Sequence, residues 1–216
     1  KMLKAVIFDL DGTILNTLDD LMDSVNYVLK KLSYPIRTKE EIKSFLGGGV
    51  LKLIEKSLPD NKTKKELDEA YNLFIDYYHE NSMNKTIPYF GIQKLLIELK
   101  ERKIITAVVS NKIDSEVQKM CQKYFNKLFK YVYGEKREFL KKPDPGVVLD
   151  IIKKEQVALS DVLYVGDSEV DYYTASNANI DCALVTWGFR DKEFLEKFDN
   201  VSIIDETSQL FKLITK

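Results

Sequence analysis

The stretch FDLDGTIL, residues 8–15, ends an apolar segment and places Asp9 and Asp11 one residue apart, just before Gly12. An Asp-Gly pair between apolar segments is a favoured two-residue turn, so a β-hairpin is one interpretation. A calcium loop of the EF-hand type is excluded, because its twelfth position would be Asp20 and the ligands between are missing. The hairpin leaves Asp9 unexplained, since a carboxylate at the end of a buried strand is costly unless a ligand or cation uses it.

The composition indicates an ordinary globular protein of 216 residues, 44% of them hydrophobic, with a net charge of -1. This length can bury one core that carries an insertion. The balanced charge gives no broad positive field, so neither nucleic acid nor a membrane is expected as a partner. Cys121 and Cys182 are far apart, and neither a signal peptide nor a membrane span is recognisable. We therefore expect a soluble, cytoplasmic monomer or homodimer with reduced thiols.

Short apolar segments alternate with segments of helical periodicity along most of the chain. Most of the apolar segments are continuous, which is typical of parallel strands covered by helices on both faces. The predicted strands are residues 4–8, 104–109, 131–133, 162–165, 183–186 and 201–204. The predicted crossover helices are residues 92–99, 117–125, 143–154 and 169–178. The sequence therefore predicts an α/β fold with a doubly wound, mostly parallel sheet.

A helical insertion interrupts this alternation after the first strand. Apolar residues recur at steps of three and four between 18 and 32, which indicates an amphipathic helix. TKEE at 38–41 and TKKE at 63–66 have the form of a capping box, which predicts that two further helices begin there. The predicted division is an α-helical domain of residues 16–84 inserted into a core of residues 1–15 and 85–216.

Polar residues also follow the other predicted strands. Ser110 and Asn111 follow the second strand, GDSEVD follows the fourth at 166–171, and KKPDPG at 141–146 carries Lys142 between them. Open α/β sheets bind ligands at the carboxyl ends of their strands, so these groups are expected to meet. Several acids at one place need a cation, and Mg²⁺ suits their oxygen ligands. Each motif taken alone also fits a turn or a helix cap.

Together and in this order, the motifs resemble those of the haloacid dehalogenase (HAD) superfamily of phosphatases. DLDGT resembles the first motif, VVSNK the second, Lys142 with Pro143 the third and GDSEVD the fourth. The resemblance covers nearly the whole chain and implies a Rossmann-like HAD core with a C1 helical cap. Three further stretches, at 14–26, 45–58 and 198–210, are most similar to phosphoglycolate phosphatases.

The resemblance implies that Asp9 is a nucleophile that forms an aspartyl phosphate. Asp11 would be the general acid and base. Lys142 would stabilise the transition state and, with Ser110 and Asn111, would bind the phosphoryl group.

The resemblance also implies a magnesium ion, held by a carboxylate oxygen of Asp9, the backbone carbonyl of Asp11 and Asp167. Asp171 would contact the metal through water or pair with Lys142. Gly47, Gly48 and Gly49 are either a plain turn between helices or a cap loop that approaches the substrate. The family often has glycine where this chain has Asn179, and asparagine is the next best residue for a left-handed helix cap.

The implied activity is Mg²⁺-dependent hydrolysis of a small phosphorylated metabolite, with phosphoglycolate as the first candidate. Relatives with the same core leave other activities open, namely those of nucleotidases, pyrophosphatases, phosphonatases and β-phosphoglucomutases. A dehalogenase is disfavoured because those enzymes lack the second acid that Asp11 supplies. Two non-enzymatic alternatives are an inactive binding protein and a phospho-acceptor signalling module, but the module has neither the helical insertion nor an acid at the position of Asp11.

Overall fold

The computed structural model describes residues 2–136 and 140–216. Its strands are β1 (Ala5–Phe8), β2 (Leu15–Asn16), β3 (Ile87–Pro88), β4 (Ile105–Ile113), β5 (Tyr131–Glu135), β6 (Val162–Gly166), β7 (Asp181–Val185) and β8 (Val201–Ile204). Six of them form one sheet in the order β5-β4-β1-β6-β7-β8, and all neighbours in it are parallel. The sheet confirms the predicted α/β class.

The helices are α1 (Leu18–Lys31), α2 (Lys39–Phe45), α3 (Val50–Ser57), α4 (Lys64–Asn81), α5 (Ile92–Glu101), α6 (Asp114–Phe125), α7 (Gly146–Glu155), α8 (Glu169–Ala178), α9 (Lys192–Leu195) and α10 (Thr207–Thr215). Helices α5, α6 and α10 contribute to an apolar cluster on one face of the sheet, and α7 and α8 to a cluster on the other. Alternate residues of β1 belong to these two clusters, Val6 and Phe8 to the first and Ala5 and Ile7 to the second. A central strand buried on both faces explains its continuous apolar sequence.

Helices α1 to α4 lie between β2 and β3 and pack on one another. The apolar stripe of α1 is buried, including Leu21, Val25 and Val28, and α1 packs against α4. Both predicted capping boxes are confirmed: the hydroxyls of Thr38 and Thr63 each accept a hydrogen bond from the backbone amide three residues on. Helices α2 and α4 therefore begin where the sequence predicted, whereas α3 was not predicted.

Two short connections join the helical segment to the sheet. Strands β2 and β3 form an antiparallel pair of two residues each, which is too short to have a recognisable sequence pattern. The buried carboxylate of Asp20, near the start of α1, accepts hydrogen bonds from the backbone amides of Lys85 and Thr86 and from the Thr86 hydroxyl. This carboxylate ties the outgoing and returning chains together.

The hairpin interpretation of residues 8–15 is excluded, because both neighbours of β1 are parallel; Gly12 instead opens a tight turn at φ +81°. Two details of the sequence-based prediction are wrong. Strand β4 continues past Val109 to Ile113 through an irregularity, so Ser110 and Asn111 lie within it. Helix α7 begins at Gly146 and not at Pro143, since its cap is Pro145.

Three further observations concern the C-terminal half and the described chain as a whole. Asn179 ends α8 in the left-handed conformation, with φ +55°, as predicted. Cys121 and Cys182 are buried free thiols, in accord with the predicted absence of a disulfide. None of the helices within residues 2–136 and 140–216 is both long enough and apolar enough to cross a membrane.

Candidate functional site

The central position of β1 decides where the polar residues meet. Its two neighbours are β4 and β6, so the carboxyl ends of these three strands lie side by side. Asp9 follows β1, Ser110 and Asn111 occupy the irregular end of β4, and Asp167 follows β6. All four residues line one cavity, as the order of strands and motifs predicted.

Asp9, Lys142 and Asp171 form a buried cluster, of which Asp9 and Lys142 line this cavity. The Lys142 Nζ donates hydrogen bonds to Asp9 Oδ1 at 2.8 Å and to Asp171 Oδ1 at 2.7 Å. Burial disfavours the ammonium group, but Asp171 and Asp9 outweigh this effect and raise the pKa of Lys142 well above its usual value. In the metal-free site, burial and then repulsion from Asp171 raise the pKa of Asp9 to about 7.

Asp171 is engaged on both of its oxygens by the protein. In addition to the bond from Lys142, its Oδ2 accepts hydrogen bonds from the backbone amides of Asp167 and Ser168 and from the Ser168 hydroxyl. These contacts fix the loop between β6 and α8. Asp171 therefore orients both Lys142 and the segment that carries Asp167.

Asp167 is buried and has fewer protein partners. Its Oδ2 accepts a hydrogen bond from the backbone amide of Phe189 at 2.7 Å. Gly12 permits the close approach of this carboxylate, because a Cβ atom at residue 12 would lie 2.3 Å from the same oxygen. Burial, followed by the charges of Asp171 and Asp9, raises the pKa of Asp167 well above its usual value.

The carboxylates at this site outnumber the cations that face them. Oxygens of Asp9, Asp167 and Asp171 lie within 4.8 Å of one another. With Asp11, the four acids face the ammonium groups of Lys142 and Lys112, which leaves two more acids than lysines. Arg190 also lines the cavity, but its charge is paired with Glu169, so the excess of two acids remains. An oxygen-only donor set with this imbalance suits a hard divalent cation such as Mg²⁺.

The Asn111 side chain forms hydrogen bonds with backbone groups of two other segments, one at Lys142 and one at Gly47. Its amide pairs with both backbone groups of Lys142, since Oδ1 accepts from the Lys142 amide at 2.9 Å and Nδ2 donates to the Lys142 carbonyl at 3.1 Å. The same Nδ2 lies 3.2 Å from the Gly47 carbonyl. The Asn111 side chain thus positions Lys142 and the glycine loop, whereas the Ser110 hydroxyl accepts a bond from the Lys112 amide.

Asp11 has a buried partner that the sequence analysis did not assign. Lys112 Nζ lies 2.9 Å from Asp11 Oδ1, and the Thr17 hydroxyl donates to the same oxygen at 2.6 Å. Lys112 is only 5% exposed, which is unusual for a lysine. Lys112 lies past residue 109, where the predicted strand ended, and follows the polar residues Ser110 and Asn111, so its sequence context did not mark it as buried.

The helical segment closes the cavity from the other side. The residues that it contributes are Leu21, Leu46, Gly47, Gly49, Val50 and Leu53. Gly47 and Gly49 both have positive φ angles, and a Cβ atom at Gly49 would lie 3.2 Å from the Asn111 carbonyl. Two of the three predicted loop glycines therefore reach the cavity, and Gly48 is not among its lining residues.

Arg190 joins the two sides at the rim and was also not predicted. It follows β7, pairs with Glu169 through Nε at 2.8 Å and Nη2 at 2.9 Å, and lines the cavity. The same Nη2 donates to the Leu46 carbonyl at 2.9 Å, and Nη1 donates to the Lys43 carbonyl at 3.3 Å. Its acceptors on the helical segment are backbone oxygens, so no sequence pattern marks this contact.

Curated relatives match almost the whole chain. A phosphoglycolate phosphatase of Psychrobacter arcticus is 29% identical over 222 residues, covering 98% of this chain and 95% of the relative. A phosphoglycolate phosphatase of Pseudomonas syringae pathovar tomato is 27% identical over 216 residues, covering 97% and 79%. These matches confirm the resemblance to phosphoglycolate phosphatases and the prediction of an enzyme of the phosphatase type.

Solved structures give the same result. A crystal structure from Lactobacillus delbrueckii subsp. bulgaricus, of a protein provisionally named phosphoglycolate phosphatase, superposes with a TM-score of 0.93 at 32% identity, covering 100% of this chain and 99% of that one. The family described as haloacid dehalogenase-like hydrolase matches residues 6–185. The chain therefore belongs to the haloacid dehalogenase-like hydrolase family.

Proposed function

We propose that this protein hydrolyses monophosphate esters of small metabolites in the presence of Mg²⁺, with phosphoglycolate as its first candidate substrate. The observation that carries this proposal is the buried Asp9 carboxylate, which contacts Lys142 and lies beside Asp167 in a cavity closed by the helical segment. The names of the curated relatives support the choice of phosphoglycolate. The closed cavity favours a small substrate over a protein partner, which argues against a signalling module.

The proposed metal ligands are a carboxylate oxygen of Asp9, the backbone carbonyl of Asp11 and Asp167. The excess of acids over lysines at the site supports this assignment. A bound Mg²⁺ would offset the repulsion between an anionic nucleophile and an anionic phosphate. Asp171 is assigned as the partner of Lys142, because its oxygens already accept bonds from protein donors.

Asp9 is the proposed nucleophile. One of its oxygens attacks phosphorus, and the bond between phosphorus and the ester oxygen breaks, which leaves an aspartyl phosphate. Lys142 contacts Asp9 Oδ1 at 2.8 Å, so its ammonium group can stabilise the charge that develops on the transferring phosphoryl group. Ser110 lines the same cavity, and its hydroxyl can donate a hydrogen bond to a phosphoryl oxygen.

Asp11 is the proposed general acid and base. In the first step it gives a proton to the departing ester oxygen, which leaves as an alcohol. In the second step it takes a proton from a water molecule, whose oxygen attacks phosphorus. The bond between phosphorus and Asp9 then breaks, which releases inorganic phosphate and regenerates the Asp9 carboxylate.

The helical segment, proposed as the cap of residues 16–84 over a core of residues 1–15 and 85–216, would exclude bulk water during these steps. Its apolar cavity wall would also limit the size of the leaving group. We place the protein in the cytoplasm, in keeping with its free buried thiols.

The test is phosphate release from phosphoglycolate, a nucleoside monophosphate, pyrophosphate and a sugar phosphate, each with and without Mg²⁺. The proposal predicts release that requires Mg²⁺, is fastest with phosphoglycolate, and falls by roughly 10⁴-fold or more in Asp9→Asn. A different preferred substrate would retain the mechanism and reject phosphoglycolate. The absence of release from every ester would overturn the proposal and favour a mutase or a phospho-acceptor module.

A further inference from the structure

Lys112 is a buried cation for which the proposed mechanism gives no role. Its side chain is 3% exposed, and its ammonium group lies 2.9 Å from Asp11 Oδ1. Removing an ammonium group from water is expensive, so a buried lysine normally has a specific partner. Here the partner is the residue proposed to transfer protons.

The two protein donors that contact the Asp11 carboxylate both bind the same oxygen. Lys112 and the Thr17 hydroxyl both donate to Oδ1, at 2.9 Å and 2.6 Å. Within residues 2–136 and 140–216, no protein donor is assigned to Oδ2. The two donors can hold Asp11 through Oδ1 whether the side chain is a carboxylate or a neutral acid. Oδ2 therefore stays available to accept or release a proton.

Lys112 is itself held from both sides of the cavity. Its backbone amide donates to the Ser110 hydroxyl oxygen at 3.1 Å, at the irregular end of β4. Its ammonium group lies 4.8 Å from the ring centroid of Tyr78, a fully buried residue of α4. A cation over an aromatic face is attracted to it, so the lysine is fixed between the sheet and the helical segment.

We propose that Lys112 is a positioning residue for proton transfer, which holds Asp11 by Oδ1 and so directs Oδ2 to the ester oxygen and then to water. This inference rests on the proposed function, because it assigns a role to the neighbour of the proposed acid and base. Lys112 acts through Asp11 and contributes most where the leaving group must be protonated.

The test compares three small substrates in Lys112→Met: phosphoglycolate, ethyl phosphate and acetyl phosphate. The first two release an alkoxide that needs a proton, whereas acetyl phosphate releases acetate, which leaves as a stable anion. The value of kcat/KM reports the steps up to the aspartyl phosphate, so later hydrolysis does not enter the comparison. We expect kcat/KM to fall by about 100-fold for both alkyl esters and by less than about 3-fold for acetyl phosphate.

The ratio of kcat/KM for an alkyl phosphate to kcat/KM for acetyl phosphate is measured on one protein sample. It therefore does not depend on the fraction of that sample that is folded. If Lys112→Met yields no active protein, Lys112→Gln supplies the same ratio, and Lys112→Arg is expected to restore part of the alkyl activity. An equal fall with all three substrates would mean a structural role and would overturn the inference. A fall with phosphoglycolate alone would show that Lys112 binds the substrate carboxylate, which would also overturn it.

Failure of the proposed function would be visible separately. In that case the unmodified protein would hydrolyse none of the three substrates, and no ratio could be formed. If it hydrolyses them and the Lys112 variants keep the unmodified ratio, the proposed function stands and the role of Lys112 is refuted.

Discussion

The two sides of the cavity differ in chemistry. The sheet side contributes charged and polar groups, among them Asp9, Asp11, Lys142 and Asp167. The helical side contributes leucines, a valine and two glycines, and no charged side chain of the described cap residues lines the cavity. The groups proposed to react therefore lie at the carboxyl end of the sheet, while the proposed cap supplies an apolar wall and backbone atoms.

This division has a physical reason. Charged groups are expensive to bury, and the ends of adjacent parallel strands hold several of them at fixed distances from one another. The proposed cap contributes no charged side chain among its described residues that line the cavity. It can exclude water, because an apolar surface needs no exact alignment to do so. If the division is real, changes on the sheet side should affect the chemistry, and changes in the cap should affect substrate capture.

The largest effect is expected from Lys142→Met on the sheet side. It leaves the carboxylates of Asp9 and Asp171 buried without their shared cation. We expect kcat to fall by roughly 1,000-fold and the free energy of unfolding by about 3–5 kcal/mol. Steady-state kinetics and thermal unfolding measure these two effects.

Lys141→Met is the matched control, because Lys141 is adjacent in sequence but pairs with the half-buried Glu135. We expect it to leave kcat almost unchanged. Equal losses in the two variants would mean that the effect of Lys142→Met does not come from the buried cluster.

A smaller effect is expected from metal binding, which should stabilise the sheet side directly. At a Mg²⁺ concentration 100 times Kd, linkage predicts a gain of about 2.7 kcal/mol in the free energy of unfolding. Asp167→Asn should lose most of this gain, since it removes a proposed ligand. An equal gain in both proteins, measured by thermal unfolding, would contradict the proposed site.

The gain from Mg²⁺ should also depend on pH. Burial, then repulsion from Asp171, raises the pKa of Asp9 from 3.8 to about 7 in the metal-free protein. The folded state therefore binds a proton that the unfolded state releases, and this group's contribution to stability falls as pH rises from about 4 to about 7. Because a metal ion binds the ionised carboxylate, we expect a larger Mg²⁺ gain at pH 8 than at pH 5.5. A gain that is independent of pH would mean that Asp9 is not a ligand.

On the cap side, Gly49→Ala should weaken substrate capture. Gly49 has φ +86°, and a Cβ atom there would lie 3.2 Å from the Asn111 carbonyl. At φ +86° and ψ 174° the backbone lies in a region that is essentially restricted to glycine. An alanine there costs about 1–3 kcal/mol, which corresponds to roughly a 10- to 100-fold fall in kcat/KM if the strain is relieved by opening the cap. We expect a raised KM with little change in kcat.

Gly48→Ala is the matched control for this change. Gly48 lacks a positive φ, and its added Cβ would meet only Cβ and Cγ of Lys52, both at 3.1 Å. We expect near-normal kinetics. If Gly48→Ala and Gly49→Ala behave alike, the glycine loop is a plain turn between helices and does not control access.

The smallest effect is expected from Thr63→Ala, at the start of α4. The variant loses the capping box with Glu66, which should lower the free energy of unfolding by about 1 kcal/mol. Activity at low temperature should stay unchanged, because this cap is remote from the cavity. Lys64→Ala is the control, and a loss of activity in Thr63→Ala alone would show that folding of α4 and catalysis are coupled.

Features with a local cause could be predicted from the sequence. Thr38 and Thr63 form their capping boxes within four residues, and Asn179 adopts its left-handed angle for reasons of backbone geometry. The meeting of Asp9 with Asp167 was also predictable. Strand order alone brings the two residues together, and continuous apolar strands are a strong signal.

Features that depend on tertiary contacts could not be predicted. Arg190 binds backbone carbonyls of the helical segment, which leave no trace in the sequence. The pairing of β2 with β3 involves two residues on each side, fewer than any periodicity requires. Lys112 is a further case, because it lies past the end of the predicted strand and its partner Asp11 is distant in sequence.

The central claim is that Asp9 becomes phosphorylated while Asp11 handles the protons. It is tested most directly in Asp11→Asn with acetyl phosphate, because acetate leaves without a proton whereas hydrolysis of the aspartyl phosphate needs a base. After acid quenching, intact-mass measurement and peptide mapping should find one added phosphoryl group, located on Asp9, and none in a variant that also carries Asp9→Asn. An unmodified mass, or a phosphoryl group on any other residue, would contradict the account.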